Sequence, residues 1–343
     1  MLKPIIYFYI PRDLFPKQFP QNINENWPGF CLGIYAWTLQ TYLRLKADGF
    51  PCQLVDELPQ SGIVIVHRKC LYVHKQLKPG QNLLLICMKS DVDFYPYAQL
   101  HVVQNPQEVS TINSRYYIPH WTQPGLITRD FKRGKTFKNI VFFGHIKNLT
   151  PELSSIEWQN KLEKLGLNWC PIINQNHWAD YEKIDNRWND YSQVDAVVAI
   201  RSFGKGNQYT NKPATKLFNA WLAGVPAILG YESAYQTEGK PNLNYLEVTS
   251  MNELISALKK LKYDSNFRQN IVNNGQLQAP KIHPEQITKK WRYFLTEIAI
   301  PAFEDWCSKP RRVQNMILET RYLSWFIHRG QSKIASLALN FKR

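Results

Sequence analysis

The strongest chemical signal in the chain is a lysine-bearing loop that runs into a helix. Asn211-Lys212-Pro213-Ala214-Thr215 leads to Lys216–Ala223, which reads as helical; Gly224-Val225-Pro226 turns the chain, and Pro226–Gly230 reads as a buried strand. The free N–H groups of a helix start attract anions, so with Lys212 and Lys216 beside them this loop is suited to a phosphate or diphosphate. Arg201 directly follows the apolar run Asp195–Ile200 and would reach the same place; Lys205, between Gly204 and Gly206, reads as a solvated basic loop. Proton transfer calls for histidine. His67 ends an apolar strand, His120 lies in a Pro-rich connection, and His101 begins a strand; the first two are better placed. Asp91 and Asp93 follow the run Leu83–Met88 with the spacing of a two-carboxylate cation site. So short a pattern arises often by chance, and a loop or helix cap accounts for it more simply.

Positioning these groups requires strands that end together. In the first half, Pro4–Ile10, Gln53–Val55, Gly62–His67, Leu83–Met88 and His101–Val103 read as strands, and Ile34–Ala47 as a helix stopped by Gly49. The unbroken Ile and Val of Gly62–His67 predict burial on both faces, as in a parallel sheet. The two prolines and glycine of Ile118–Gly125, followed by Lys132-Arg133-Gly134-Lys135, mark a domain boundary. The pattern then restarts with a strand at Asn139–Gly144 and a helix at Pro151–Leu165, with Thr150 as its cap. A helix at Met251–Leu261 follows the lysine loop and its strand, and residues 285–343 read as helical. The predicted domains are 1–125, 126–285 and a helical segment 286–343. Strands alternating with helices predict a doubly wound α/β fold, with a ligand cleft between the two halves.

Composition limits the partners. The chain has 343 residues and a net charge of +15, of which residues 301–343 carry +5. No apolar run approaches the ~20 residues of a spanning helix. Six cysteines without a CxxC pair predict reduced thiols in the cytoplasm and argue against structural zinc. Nucleic acid, an anionic membrane surface or a phosphorylated small molecule could each use the positive charge. The interleaved Trp306, Arg311, Arg312, Arg321, Tyr322, Trp325, Phe326, Arg329 and Lys333 suit a membrane face or a helix packed back on the domains. No nucleic-acid-binding motif accompanies them, so nucleic acid is not the expected partner.

Lys216-Leu217-Phe218-Asn219-Ala220-Trp221-Leu222-Ala223-Gly224-Val225-Pro226-Ala227-Ile228 resembles a signature of GT-B-fold glycosyltransferases, especially the retaining sucrose- and mannosyl-transferase group. Phe142-Phe143-Gly144-His145 resembles the glycine loop that opens their nucleotide-binding domain. Gly33 with the helix after it resembles their first, acceptor-side loop, and Glu232 falls where they often place an acidic residue. One departure stands out: the acidic pair eight residues apart is replaced by Asn211 and Asn219.

The resemblance implies an α/β fold of two Rossmann-like domains facing a cleft, with a C-terminal helical segment packing across both. It implies a glycosyltransferase that moves a sugar from a nucleotide-sugar donor to a carbohydrate or lipid-linked acceptor. Arg201 and Lys216 would stabilise the departing diphosphate, and His67 or His120 would handle the proton. Gly144, Asn211, Lys212, Asn219 and Glu232 would bind the donor. No cofactor or metal is expected; Asp91 and Asp93 remain the metal alternative. A non-catalytic binding protein of the same fold and a basic nucleic-acid-binding protein are the competing readings. The expected location is cytoplasmic, with peripheral attachment to the inner face of the membrane.

Overall fold

A computed structural model describes residues 3–71, 77–174 and 184–340. Two parallel sheets lie in sequence order. The first contains β1 (Ile6–Tyr9), β2 (Gln53–Val55), β3 (Gly62–His67), β4 (Leu83–Met88), β5 (Leu100–Val103) and β6 (Arg115–Tyr117), in the order β2-β1-β3-β4-β5-β6. The second contains β7 (Asn139–His145), β8 (Asn168–Asn174), β9 (Ala196–Ala199), β10 (Ala227–Leu229) and β11 (Leu246–Glu247), in the order β11-β10-β9-β7-β8. The two apolar runs at β3 and β4 are buried at every position, because helices and loops cover both faces of a parallel sheet. In each sheet the strand order reverses beside the first strand, between β1 and β3 and between β7 and β9. In open α/β sheets the carboxyl ends at such a point are where a ligand crevice forms.

The helices obey their local chemistry. The predicted helix at Ile34–Ala47 forms as a widened turn at Tyr35–Leu39 continued by α1 (Gln40–Ala47). The helix expected over Pro151–Leu165 is split. A tight turn at Pro151–Ser154 comes first, and α2 (Ile156–Lys164) is capped by the Ser155 hydroxyl rather than by Thr150. Pro151 favours the turn, but Ser155 supplies the acceptor that an α-helix start needs. Helix α3 (Thr215–Ala223) buries Leu217, Phe218, Ala220 and Trp221 and ends at Gly224, whose φ of 69° is the left-handed closure glycine permits. It is followed by α4 (Ser233–Glu238), α5 (Met251–Tyr263), α6 (Ser265–Gln276), α7 (Pro284–Tyr293), α8 (Ile300–Ser308) and α9 (Arg311–Asn340). Strands β6, β8 and β11 and helices α4 and α6 are not evident from the sequence pattern: they are short, edge-placed or polar.

Each sheet has its own core. Trp121 belongs to the first cluster, while Leu126 packs on the second. Ile282 belongs to the second, whereas Ile287, Trp291, Phe294, Leu295, Ala299, Trp306 and Leu318 all join the first. The C-terminal helices therefore leave the second domain and bury their apolar side chains against the first, instead of being shared between the two. Ile184, from the second half of the sequence, also joins the first core. The predicted helical segment 286–343 is described to residue 340; its last three residues lie outside the described residues.

The start of the second domain is tied down by Asp195. Its carboxylate, fully buried, accepts from Arg129 Nη2 at 2.8 Å, Arg133 Nη2 at 2.6 Å and the backbone N–H groups of Lys138 and Asn139 at 2.8 and 2.9 Å. Burial alone would raise its pKa; the hydrogen bonds from Arg133, the two backbone groups and Arg129 outweigh that and lower it. Asp195→Asn keeps the shape but removes the charge, leaving two guanidinium groups facing an amide. It should cost about 3–5 kcal/mol in urea unfolding at neutral pH. Because the folded-state pKa is depressed, this stabilisation is complete above the ordinary carboxyl value and is lost as pH falls through the lowered one. The gap between wild type and variant should therefore close on acidification.

Candidate active site

The carboxyl ends of β7 and β9 and the start of α3 meet at the reversal point of the second sheet. Gly144 sits near the end of β7. A Cβ there would come within 2.9 Å of the Phe142 ring, so the ring uses the space that glycine leaves, with Lys216 Nζ in ordinary contact distance at 3.5 Å. Arg201, two residues past β9, forms a buried ion pair with Glu232, and its Nε donates to Asn148 Oδ1 at 3.2 Å. The other carboxylate oxygen of Glu232 has no hydrogen-bond partner among the described residues. Ala214 precedes α3 and offers no capping side chain, so the N–H groups of its first turn are not satisfied locally. The buried Thr215 hydroxyl beside them also lacks a partner among the described residues.

Lys216 is the electrostatic centre of this arrangement. It has no carboxylate within ion-pair distance among the described residues, and its ammonium lies 5.6 Å from the Phe142 ring centroid. Burial, then the charge of Arg201, push its pKa down; Glu232 raises it, Lys212 lowers it further, and it comes to about 7. A group held near neutrality in this way accepts a proton when an anion arrives.

The other donor-side candidates are placed differently. Lys212 pairs across the domain boundary with Asp91 at 2.5 Å, and Asn211 Nδ2 donates to the Asp91 carbonyl at 2.9 Å. Asn105 Nδ2 donates to the Lys212 carbonyl at 3.0 Å and to Ser233 Oγ at 2.9 Å, and Gln104 donates to the Asn211 carbonyl. Both sides of this clasp contain left-handed backbone at a non-glycine residue, Ser90 (φ 56°) and Tyr209 (φ 48°). Asn219 is buried inside α3, where its side-chain oxygen accepts from the Gln123 N–H in the connection between domains. Lys205 is exposed over Tyr231, as expected of a solvated loop.

On the first domain, Gly33 opens the helix that follows β1, and His67 ends β3. The near-neutral pKa expected of a proton-transfer histidine is not what burial produces. Desolvation is the main cause that lowers His67 to about 3 and His120 to about 4. Their hydrogen bonds assign the tautomers. His67 Nδ1 accepts from the Lys69 N–H at 3.2 Å, so its proton lies on Nε2. His120 Nδ1 donates to the Trp121 carbonyl at 2.8 Å, leaving Nε2 as an acceptor. Of these two, His120 is the one that presents a lone pair to take a proton. His101 is buried with Nε2 on the backbone of Tyr95, in a structural role.

Asp91 and Asp93 do not converge. Burial raises the Asp91 pKa, but the charge and hydrogen bond of Lys212 and the charge of Lys69 outweigh it and hold it at about 2. Asp93 is largely exposed, 4.0 Å from Arg329. No group of three or more metal-ligating side chains is assembled among the described residues. Two residues that sequence reasoning did not single out, Lys69 and His145, adjoin the cleft. The charge of Lys69 lowers the pKa of Asp91 and of His145, and that of Asp91 acts to raise those of Lys69 and His145. Their sequence signal is position: each lies at or just past the carboxyl end of a buried strand.

No protein-family model matches the chain, and no curated protein matches it. Solved structures do. HepE from Anabaena, in complex with UDP-glucose, is 13% identical, with 86% of this chain and 100% of that one covered and a TM-score of 0.51. Its complex with UDP and glucose is 11% identical over the same shares, with the same TM-score. Sucrose-phosphate synthase from Thermosynechococcus elongatus is 14% identical over 77% of each chain, with a TM-score of 0.46. The chain has the two-domain GT-B fold.

The state of Lys216 can be measured. A diphosphate stabilises its charged form, so binding takes up a proton. The Kd of UDP should rise about tenfold per pH unit above pH 7, and Lys216→Met should flatten that dependence. Calorimetry in buffers of different ionisation enthalpy measures the proton uptake directly.

Proposed function

We propose that the protein is a glycosyltransferase that transfers a sugar from a nucleotide-sugar donor without a metal ion. The observation that carries this reading is the half-buried Lys216 ammonium, lacking a carboxylate partner, at the uncapped start of α3 beside the Arg201–Glu232 pair. In a GT-B fold this edge faces the cleft. The UDP-glucose bound to HepE supports a nucleotide sugar as the ligand class.

The proposed reaction breaks the bond between the sugar and the β-phosphate, and the leaving diphosphate gains negative charge. Lys216 and the free N–H groups of α3 face that growing charge, already oriented, in a site that excludes much of the water. Arg201 is held by Glu232 and supplies a second fixed cation. Across the cleft, His120 Nε2 is the proton acceptor available to an acceptor hydroxyl, while His67 donates from Nε2. Lys212 contributes chiefly by holding the domains together through Asp91.

Lys216→Ala should lower kcat on the order of a hundred- to thousandfold with the fold intact. Arg201→Ala should lose activity too, but with a depressed melting temperature. It leaves Glu232 buried without its partner, at a cost of about 3–5 kcal/mol. Activity should survive EDTA. Wild-type turnover in Lys216→Ala would remove the basis of the proposal.

The acceptor is proposed to be a carbohydrate or a lipid-linked one, with the protein attached peripherally to anionic membrane. No helix among the described residues is long and apolar enough to cross a membrane. Helix α9 presents Met316, Leu323, Phe326 and Ile327 to solvent, together with Arg311, Arg312 and Arg329. Arg321 is not part of that face, since it anchors the helix through the carbonyls of Ala98 and Gln99. Each exposed basic group is worth about 1 kcal/mol near an anionic surface. Sedimentation with vesicles rich in anionic lipid should be strong at low salt and weak at high salt. Changing Arg311, Arg312 and Arg329 to Gln should abolish it.

A further inference from the structure

A second pocket, of about 500 Å³, lies away from the donor cleft, between the loop before β5, the turn before β6 and the inner face of α9. Its lining combines two guanidinium groups, Arg115 and Arg321, with the apolar surfaces of Phe94, Ile112 and Trp325. The charges are not balanced from within. The Arg115 guanidinium lies 3.7 Å from the centroid of Phe94 and makes no side-chain hydrogen bond among the described residues. Glu108, the carboxylate whose charge acts on Arg115, is committed to Lys89 in a buried pair at 2.6 Å. Arg321 spends Nη1 on the carbonyls of Ala98 and Gln99, at 2.8 and 3.0 Å, and has no carboxylate partner among the described residues. Among the described residues its Nε and Nη2 have no hydrogen-bond partner.

His101 does not supply the missing negative charge. It is buried, and desolvation followed by the charges of Arg321 and Arg115 holds it neutral, with a pKa of about 3. The pocket thus presents a pair of forked, permanently charged donors whose geometry suits phosphate oxygens. A phosphate alone would occupy a small part of it. The volume is that of an organic-ligand site, and the remaining walls are aromatic and aliphatic. Ile112, on the rim, is 95% exposed, which leaves an apolar side chain in water at the mouth.

We propose that this pocket binds the phosphate ester of an amphiphile, with Arg115 and Arg321 on the phosphate oxygens and Phe94, Ile112 and Trp325 against the apolar chain. The proposal does not depend on the donor chemistry, because none of these residues lies at the carboxyl edge of the second sheet. A lipid in a bilayer and a soluble phosphate ester present the same group, and the outward apolar face of α9 brings the pocket's own wall to a membrane surface.

The test is calorimetric titration of the full chain with dihexanoyl phosphatidate below its micelle concentration, inorganic phosphate and glucose 6-phosphate, with no nucleotide sugar present. Saturable binding of the lipid is expected, about tenfold or more tighter than that of either soluble phosphate. Arg115→Gln should weaken it by about tenfold or more, as expected for a charge-assisted hydrogen bond. Trp325→Ala should weaken the lipid but not inorganic phosphate. Arg321→Gln also removes the anchor of α9, so Arg115→Gln, which breaks no side-chain hydrogen bond among the described residues, carries the test if that variant fails to fold. Displacement of the short-chain lipid by phosphatidate vesicles identifies the bilayer as the source, and its retention identifies a soluble ester. Absence of saturable binding, or equal affinity in wild type and Arg115→Gln, overturns the proposal. Equal affinity for inorganic phosphate overturns its amphiphilic part.

Discussion

A lysine ammonium shielded from water beside a guanidinium is an unfavourable arrangement, and the second domain is organised around it. Lys216 would be more stable in solvent. It stays half-buried because α3 is anchored by Leu217, Phe218 and Trp221. Glu232 neutralises Arg201 but not the lysine, and Lys212 is drawn away to Asp91. The cleft edge therefore keeps an excess of positive charge and unsatisfied N–H groups. That excess suits an anionic ligand, while burial first and the charge of Arg201 second lower the pKa of Lys216 to about 7.

The same economy of charge joins the two domains. Asp91, at the end of the loop from β4, meets Lys212, and the amides of Gln104 and Asn105 take the carbonyls of the lysine loop. The loop on each side passes through left-handed backbone at Ser90 or Tyr209, a conformation that costs energy for residues other than glycine. The contacts across the boundary hold both loops in place. Asn219 extends the connection: by accepting from Gln123 it ties the interior of α3 to the segment between the sheets. Asn211 and Asn219 thus make hydrogen bonds that join the domains, which need a polar group but no charge.

The C-terminal helices close the architecture. Trp291, Phe294 and Trp306 carry the chain from the second domain into the first core, and Arg321 fastens α9 through two backbone carbonyls. One helix thereby presents an apolar and basic outer face and an inner wall of the pocket at Arg115. The arginines and aromatics that look uniform in sequence divide into anchors and exposed groups only when the helix has a surface to lie on.

Local sequence determined a good deal. Strands such as Gly62–His67 and Leu83–Met88 were legible to the residue, because β-branched and apolar runs buried on both faces have few other conformations. Gly224 marked the end of α3, and the position of Arg201 and Lys216 beside strand and helix ends was legible from the same pattern. Short edge strands and polar helices were not, since their stability comes from neighbours rather than from their own residues. The division of roles at the site was decided by tertiary structure alone. Asp91 became a clasp partner, Asn219 a domain tie, and His67 and His120 opposite tautomers with depressed pKa values, because each outcome depends on a group distant in sequence or on burial. Hydrogen-bond partners and desolvation are properties of the folded neighbourhood, so residue type and spacing could nominate these positions but could not assign their charge or their task.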